Sequence, residues 1–125
     1  MLYTRKGDKG DTYFFDSKNR FSKSGERAEA LGALDELNSL LGICKAKSRG
    51  TDIKVNARAL PEILEEVQQN LFIVQAALAG ADKTITQEKV DAVEKIIDSI
   101  EKELPEIKTF FLAGGTELSG LFDYA

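Results

Sequence analysis

The sequence has 125 residues, 42% of them hydrophobic and 30% charged, with a net charge of −4 and a pI near 4.9. This length suits one globular domain rather than two, so we expect a single domain over residues 1–125. An acidic chain without a basic arm is not expected to bind nucleic acid, and no apolar run is long enough to cross a membrane.

The chain carries few of the side chains used in catalysis or metal binding. Histidine is absent and Cys44 is the single cysteine. A histidine base, a structural zinc site and an intrachain disulfide are therefore not expected, and no metal-ligating residue is predicted. The amino terminus lacks the apolar region of a secretory signal, so a cytoplasmic location is predicted.

The chain begins with a segment rich in glycine, charge and hydroxyl groups. Residues 3–12 hold two glycines, three cations and two carboxylates without an apolar period. Gly7 and Gly10 allow sharp backbone turns, and successive free N–H groups can form a concavity that binds an anion. The side chains that could contact phosphate oxygens are Thr4, Arg5, Lys6, Lys9 and Thr12. A solvated turn is the alternative, because neither the P-loop nor the dinucleotide-binding pattern is present.

Helical patterns begin after this segment. Residues 12–15 have strand-like composition but are too few to build a sheet, and residues 16–23 are predicted to be an irregular polar loop. A first helix is predicted from about Ser24 to just before Gly50, on apolar spacings of three and four. A second is expected to open near Pro61 and to stop at Gly80.

Two further helices are predicted in the carboxyl-terminal part. The third would be capped by Thr84 or Thr86 and would end at Pro105. A short fourth helix would follow a cap at Thr116 or Ser119, and the sequence ends barely two turns later, which suggests truncated material. Together these patterns predict an all-α, antiparallel helix bundle in which at least three helices share the core.

The first helix carries polar residues among its leucines. Asp35 and Asn38 are placed at the edge of its apolar arc. Such a carboxylate either reaches water or a neighbouring cation, or forms a buried pair that fixes an active-site element at a subunit boundary. Gly32 and Gly42 each cost about 1 kcal/mol relative to alanine inside a helix. Close approach of another backbone or a ligand would explain them.

Several of these segments, taken together, resemble the PduO-type ATP:corrinoid adenosyltransferase family. The resemblance spans essentially the whole chain. Its blocks are Tyr3-Thr4-x-x-Gly7-Asp8-x-Gly10-x-Thr12, Lys23, Glu29-Ala30-Leu31-Gly32-x-x-Asp35-Glu36-Leu37-Asn38, Gln69-x-Leu71-Phe72 and Phe110-x-Leu112-x-Gly114-Gly115-Thr116.

The resemblance implies a five-helix bundle that forms a homotrimer with active sites between subunits. It implies an ATP-binding loop over residues 1–23 and helices over residues 24–125, with ATP, Mg²⁺ and cobalamin as substrates and cofactor. The residues it assigns to the nucleotide are Thr4, Arg5, Lys6, Gly7, Gly10, Asp11, Thr12 and Lys23. Asp35 would pair with an arginine across the interface, and Phe110 would cover the lower face of the corrin ring. Without the resemblance, Phe110 would be interpreted as a core aromatic.

The implied reaction transfers the 5′-deoxyadenosyl group of ATP to cob(I)alamin and releases triphosphate. Relative to the family the sequence is expected to be incomplete, because the arginine-rich segment would follow Ala125. Ala113 stands where proline is usual, and Asp123 replaces a frequent histidine. A catalytically inactive nucleotide-binding or assembly bundle is the alternative, and a plain structural bundle is a third hypothesis.

Overall fold

The computed structural model describes residues 5–125, which form four helices and two small antiparallel hairpins. The helices are α1 (Glu26–Ser48), α2 (Leu60–Leu78), α3 (Gln87–Glu103) and α4 (Glu117–Tyr124). The strands are β1 (Asp11–Tyr13), β2 (Arg20–Ser22), β3 (Lys54–Val55) and β4 (Arg58–Ala59). The described residues are mostly helical, as predicted, with two short hairpins in addition to the helices. No helix within residues 5–125 combines the length and apolarity needed to span a membrane.

The predicted helix ends agree closely with the structure. Pro61 lies in the first turn of α2, where its missing N–H leaves no helical bond unmade. Gly80 follows the end of α2 with a φ of +91°, a conformation that favours glycine. Thr86 is the N-cap of α3 but makes no side-chain capping bond, and α3 ends two residues before Pro105.

Helices α1 and α2 run antiparallel, as predicted. Near the start of α1, Arg27 Nε donates to the Leu78 carbonyl at the end of α2, 2.5 Å away. Towards the end of α1, Lys45 Nζ lies 3.9 Å from a carboxylate oxygen of Glu65 near the start of α2. The two contacts pair opposite ends of the helices, which fixes their relative direction.

Three helices share the core, but the third is α4 rather than α3. The centre of the core is Leu41, Cys44 and Leu64. Half-buried apolar side chains of α1, α2 and α4 surround it: Leu37, Leu60, Val67, Leu71, Leu118, Leu121 and Phe122. The short α4 is held by a capping box in which Thr116 and Ser119 each accept from the other's backbone N–H. Capping and packing thus offset the marginal stability expected of so short a helix.

Helix α3 lies at the periphery and is not one of the three helices that share the core. None of its residues is buried, and Val90 and Ile97 are 40% and 56% exposed. An apolar groove of about 290 Å³ separates its stripe from α2. Polar contacts tether it instead, with Lys89 Nζ 3.0 Å from Asn70 Oδ1 on α2.

The first hairpin occupies residues that were predicted to be too few for a sheet and to form an irregular loop. Strands β1 and β2 pair antiparallel with Thr12 opposite Phe21. The hairpin is stabilised by its docking as well as by its ladder, because Phe14 is buried and the Phe15 N–H donates to the Ala79 carbonyl at 2.8 Å. Tertiary contact at the end of α2 therefore overrides the weak local strand signal.

A second hairpin, formed by β3 and β4, was not predicted. Its two turn residues, Asn56 and Ala57, both have positive φ, 50° and 64°. This is the conformation of a type I′ turn, which usually carries Asn-Gly or Asp-Gly. Asn-Ala gives a much weaker sequence signal, which explains why the pattern was missed.

Candidate functional site

The glycine-rich segment closes on the first hairpin through backbone hydrogen bonds. The Gly10 N–H donates to the Gly7 carbonyl at 3.1 Å, and the Lys23 N–H donates to the Gly10 carbonyl at 2.8 Å. Gly10 has a φ of +82°, so a side chain at that position would be strained. The segment is therefore a defined turn tied to the residue that follows β2.

Lys23 places its ammonium group directly against Gly7. A Cβ atom at Gly7 would lie 2.9 Å from Lys23 Nζ, closer than real Cβ contacts allow. Glycine at this position thus permits the cation to reach the turn. A cavity of about 390 Å³ opens there, and its lining residues are Lys6, Gly7, Asp11, Thr12, Tyr13, Arg20 and Lys23.

Arg20 holds the two ends of the turn together. Its Nη2 atom donates to the Lys6 carbonyl, to the Asp11 carbonyl at 3.0 Å and to the Asp11 carboxylate. The guanidinium also lies over the ring of Tyr13, 4.7 Å from its centroid. The hydrogen bond from Arg20 lowers the pKa of the Asp11 carboxyl, and the same bond raises the pKa of Arg20. Both groups therefore stay charged at neutral pH.

Asp35 is exposed on α1 between two cavities. One, of about 610 Å³, also includes Thr12 and Lys23 in its lining. The other, of about 600 Å³, includes Tyr124 at the end of α4. Within residues 5–125 the Asp35 carboxylate makes no ion pair, so the predicted pairing with an arginine across an interface stays a prediction.

Asn38 and Gly42 bring α1 close to α2 just beyond Asp35. Asn38 is only 5% exposed, and its carbonyl accepts from Gln68 Nε2 at 2.9 Å. A Cβ atom at Gly42 would lie 3.3 Å from the same nitrogen. The predicted neighbour of Gly42 was another backbone or a ligand, whereas the structure places the Gln68 side chain there.

The segment between α3 and α4 is strongly exposed. Phe110 is fully exposed, and Phe111 and Leu112 are 76% and 98% exposed. The interpretation of Phe110 as a core aromatic is therefore wrong. Phe110 is not among the residues that line the cavities beside Lys23 and Asp35.

The structure brings together most of the predicted nucleotide-binding residues. Five of them share the cavity at the turn: Lys6, Gly7, Asp11, Thr12 and Lys23. Gly10 shapes the turn, Arg5 is exposed and outside the cavity lining, and Thr4 lies outside the described residues. Tyr13 and Arg20 were missed, because only the pairing of β1 with β2 places them side by side.

The described residues do not form a metal cage of their own. Residues 5–125 contain no group of three or more His, Cys, Asp or Glu side chains placed to hold a metal ion. The carboxylate in the cavity, Asp11, is bonded to Arg20. A divalent cation at the turn would need further oxygen ligands from a bound molecule.

Comparison with known proteins identifies the group to which this arrangement belongs. The family profile of cobalamin adenosyltransferase matches residues 2–125. The chain belongs to the cobalamin adenosyltransferase family. It is 35% identical over 128 residues to the corrinoid adenosyltransferase of Bacillus subtilis and 32% identical over 131 residues to the corrinoid adenosyltransferase PduO of Citrobacter freundii. It covers 64% of the length of the first and 37% of the second.

Solved structures of this adenosyltransferase family share the fold. A variant of the PduO-type ATP:corrinoid adenosyltransferase from Lactobacillus reuteri, complexed with cobalamin and ATP, is 31% identical and superimposes with a TM-score of 0.83. The match covers 99% of this chain and 67% of that one. A second variant of the same enzyme, complexed with ATP, is 32% identical with a TM-score of 0.82 and covers 98% and 69% of the two chains.

Proposed function

We propose that the protein transfers the 5′-deoxyadenosyl group of ATP to cob(I)alamin, giving adenosylcobalamin and triphosphate. Membership of the family supports the reaction, and relatives of closely similar structure bind ATP and cobalamin. The single observation in this chain that carries the proposal is the contact of Lys23 Nζ with Gly7 at the turn.

The turn supplies what a triphosphate needs. Lys6 and Lys23 bring cations to one cavity, and Thr12 adds a hydroxyl group. Backbone N–H groups in a glycine turn add fixed positive dipoles. Cations and donors gathered at one cavity would stabilise the charge that develops on the departing triphosphate.

The chemistry requires little else from side chains. The Co(I) of the substrate is itself the nucleophile, so the absence of histidine is no obstacle. The task of the protein is to orient C5′ of the nucleotide towards cobalt and to exclude water. We propose that ATP binds with Mg²⁺, whose ligands would be phosphate oxygens and at most one protein carboxylate, Asp11.

The exposed segment at Phe110 is proposed to meet the corrin. Three successive large apolar side chains at residues 110–112 are exposed, which is costly unless a ligand or another surface covers them. Phe110 against the lower face of the ring would keep water and an axial ligand from cobalt. Four-coordinate cobalt is easier to reduce to Co(I), so this contact would assist formation of the nucleophile.

We propose that the active protein is a homotrimer of five-helix bundles with sites between subunits. Asp35 is exposed between two cavities and makes no ion pair within residues 5–125, which supports a partner at this face of α1. We also propose that residues 1–125 are one domain and that the protein acts in the cytoplasm. Size-exclusion chromatography with light scattering measures the assembly directly, and a monomer would contradict this part of the proposal.

An anaerobic assay with cob(II)alamin, a strong reductant and Mg-ATP tests the reaction. We expect a light-sensitive alkylcobalamin spectrum and one equivalent of triphosphate for each adenosylcobalamin formed. Binding of ATP without product would favour the inactive nucleotide-binding bundle. A protein that binds neither ATP nor cobalamin would contradict both hypotheses.

A further inference from the structure

We propose that Arg20 is a positioning residue that holds the turn between Lys6 and Asp11 in its nucleotide-binding conformation. The inference rests on the proposed function, and it assigns to Arg20 a role distinct from direct contact with phosphate. Three observations support it: the placement of Arg20, the acceptors it reaches and the dependence of Lys23 on the same turn.

The placement follows from strand pairing. Arg20 begins β2 and lies opposite Tyr13, the last residue of β1. From there its side chain reaches back across the hairpin to the turn that precedes β1.

The N–H groups of Arg20 Nη2 are already engaged by acceptors within the protein. This nitrogen donates to the Lys6 carbonyl on one side of the turn and to the carbonyl and carboxylate of Asp11 on the other. Its side chain is 25% exposed and that of Asp11 is 35% exposed, so both groups are partly withdrawn from water. A guanidinium bound in this way links residues 6 and 11 rather than offering that nitrogen to a ligand.

The cation at Lys23 depends on the same turn. The backbone N–H of Lys23 donates to the Gly10 carbonyl, and its ammonium group lies beside Gly7. Both glycines lie in the turn between the two residues that Arg20 joins. If the turn opened, Lys23 would lose both its backbone hydrogen bond to Gly10 and its place beside Gly7. Arg20 therefore acts through the turn, and its loss should weaken ATP binding more than it slows the chemical step.

Hydrogen exchange in the nucleotide-free protein separates this role from direct phosphate contact. We expect Arg20→Met to accelerate exchange of the Gly10 and Lys23 amides at least tenfold, with unchanged exchange in the α1–α2 core. In steady-state assays the KM for ATP should rise at least fivefold while kcat changes less than twofold. Arg20→Lys, which keeps a charge and a donor, should recover part of both effects and serves if the methionine variant does not fold.

Arg58→Met is the matched control. Arg58 forms a similar ion pair, 2.6 Å from Glu66, on the second hairpin, and its removal should alter neither amide exchange at the turn nor the KM. Unchanged exchange in Arg20→Met combined with weaker ATP binding would overturn the proposal in favour of direct contact. Faster exchange with unchanged ATP binding would also overturn it. A wild-type protein without ATP affinity would contradict the proposed function, while the exchange data would still decide whether Arg20 holds the turn.

Discussion

Lys23 places its ammonium group beside Gly7, where a Cβ atom would lie 2.9 Å from Nζ and would push the end of the lysine side chain away. A cation seated against a glycine turn is poised for an anionic ligand. The hydroxyl of Thr12 and the ammonium of Lys6 line the same cavity. At this scale the site is a set of phosphate-binding groups fixed by backbone geometry.

Replacing Lys23 with alanine should raise the KM for ATP and leave the fold intact. A hydrogen bond to a charged group contributes about 1.5–3 kcal/mol, which corresponds to roughly a 10- to 150-fold change. Lys18→Ala, an exposed lysine of the same hairpin, is the control. Steady-state kinetics at varied ATP measure both, and equal KM values in the two variants would remove Lys23 from the site.

The ionisation of Asp11 reports on its bond with Arg20. Because that bond lowers the pKa of the folded carboxyl, its stabilising effect is fully present above the ordinary value of 3.8 and is lost as the pH falls through the lowered value. A carboxyl-carbon NMR titration should place the midpoint of Asp11 below 3.8 in the wild type. In Arg20→Met the midpoint should return towards 3.8, and the same midpoint in both proteins would show that the bond is absent in solution.

Phe110 should matter for cobalt rather than for ATP. Phe110→Ala is expected to lower kcat when cob(II)alamin is the starting material, because water and a lower ligand would reach the metal. The KM for ATP should not change. Phe15→Ala removes another strongly exposed phenylalanine and is the control. If both variants retain wild-type turnover, the role proposed for Phe110 is wrong.

At the scale of the elements, the first hairpin is held by its contact with the end of α2. Arg27 donates both to the Leu78 carbonyl and to the Asp16 carboxylate, and its guanidinium lies over the ring of Phe14, 4.3 Å from the centroid. The hydrogen bonds from Arg27 also lower the pKa of Asp16. Gly80 completes the contact because its missing side chain admits Asp16. The site is thus positioned by packing against a helix that does not itself line the cavity at the turn.

Gly80→Ala should weaken the packing of the first hairpin against the end of α2. A Cβ atom there would lie 2.3 Å from Asp16 Cγ, and the φ of +91° is unfavourable for alanine. We expect a loss of at least about 1 kcal/mol in the free energy of unfolding, measured by urea denaturation. Gly50→Ala has open space and no positive φ, so it should have little effect. Equal stabilities of the two variants would show that the docking does not constrain the hairpin.

Sequence patterns predicted the helices well because their signals are local. Pro61 and Thr116 mark the start of a helix and Gly80 marks the end of one, each through its own backbone or side-chain chemistry. The hairpins were missed because their signals are not local. Phe14 is buried only once the strand meets α2, and Asn56-Ala57 does not resemble a usual type I′ turn.

The candidate site divides in the same way. Gly7, Thr12 and Lys23 were predicted from the motif they share with a family, and the structure places them around one cavity. Arg20 and Tyr13 could not be predicted, because their importance appears only when β1 and β2 pair. The peripheral position of α3 could not be predicted, since an apolar stripe shows that a face is apolar but not which element covers it.

At the scale of the molecule, α1 connects the two regions proposed to take part in the reaction. Its Asp35 lies between the cavity that includes Lys23 and the cavity that includes Tyr124 of α4. The exposed segment at Phe110 directly precedes α4 along the chain. Helix α1, which packs against α2 and α4, thus lies between the glycine turn and α4.

Calorimetric titration with Mg-ATP and with adenosine is the most direct test of whether the turn between Lys6 and Asp11 binds a triphosphate. We expect ATP to bind with measurable heat, adenosine to bind at least tenfold more weakly, and Lys23→Ala to reduce the difference between the two ligands. Lys18→Ala should behave as the wild type. No ATP binding by the wild type, or equal affinities for ATP and adenosine, would contradict the account.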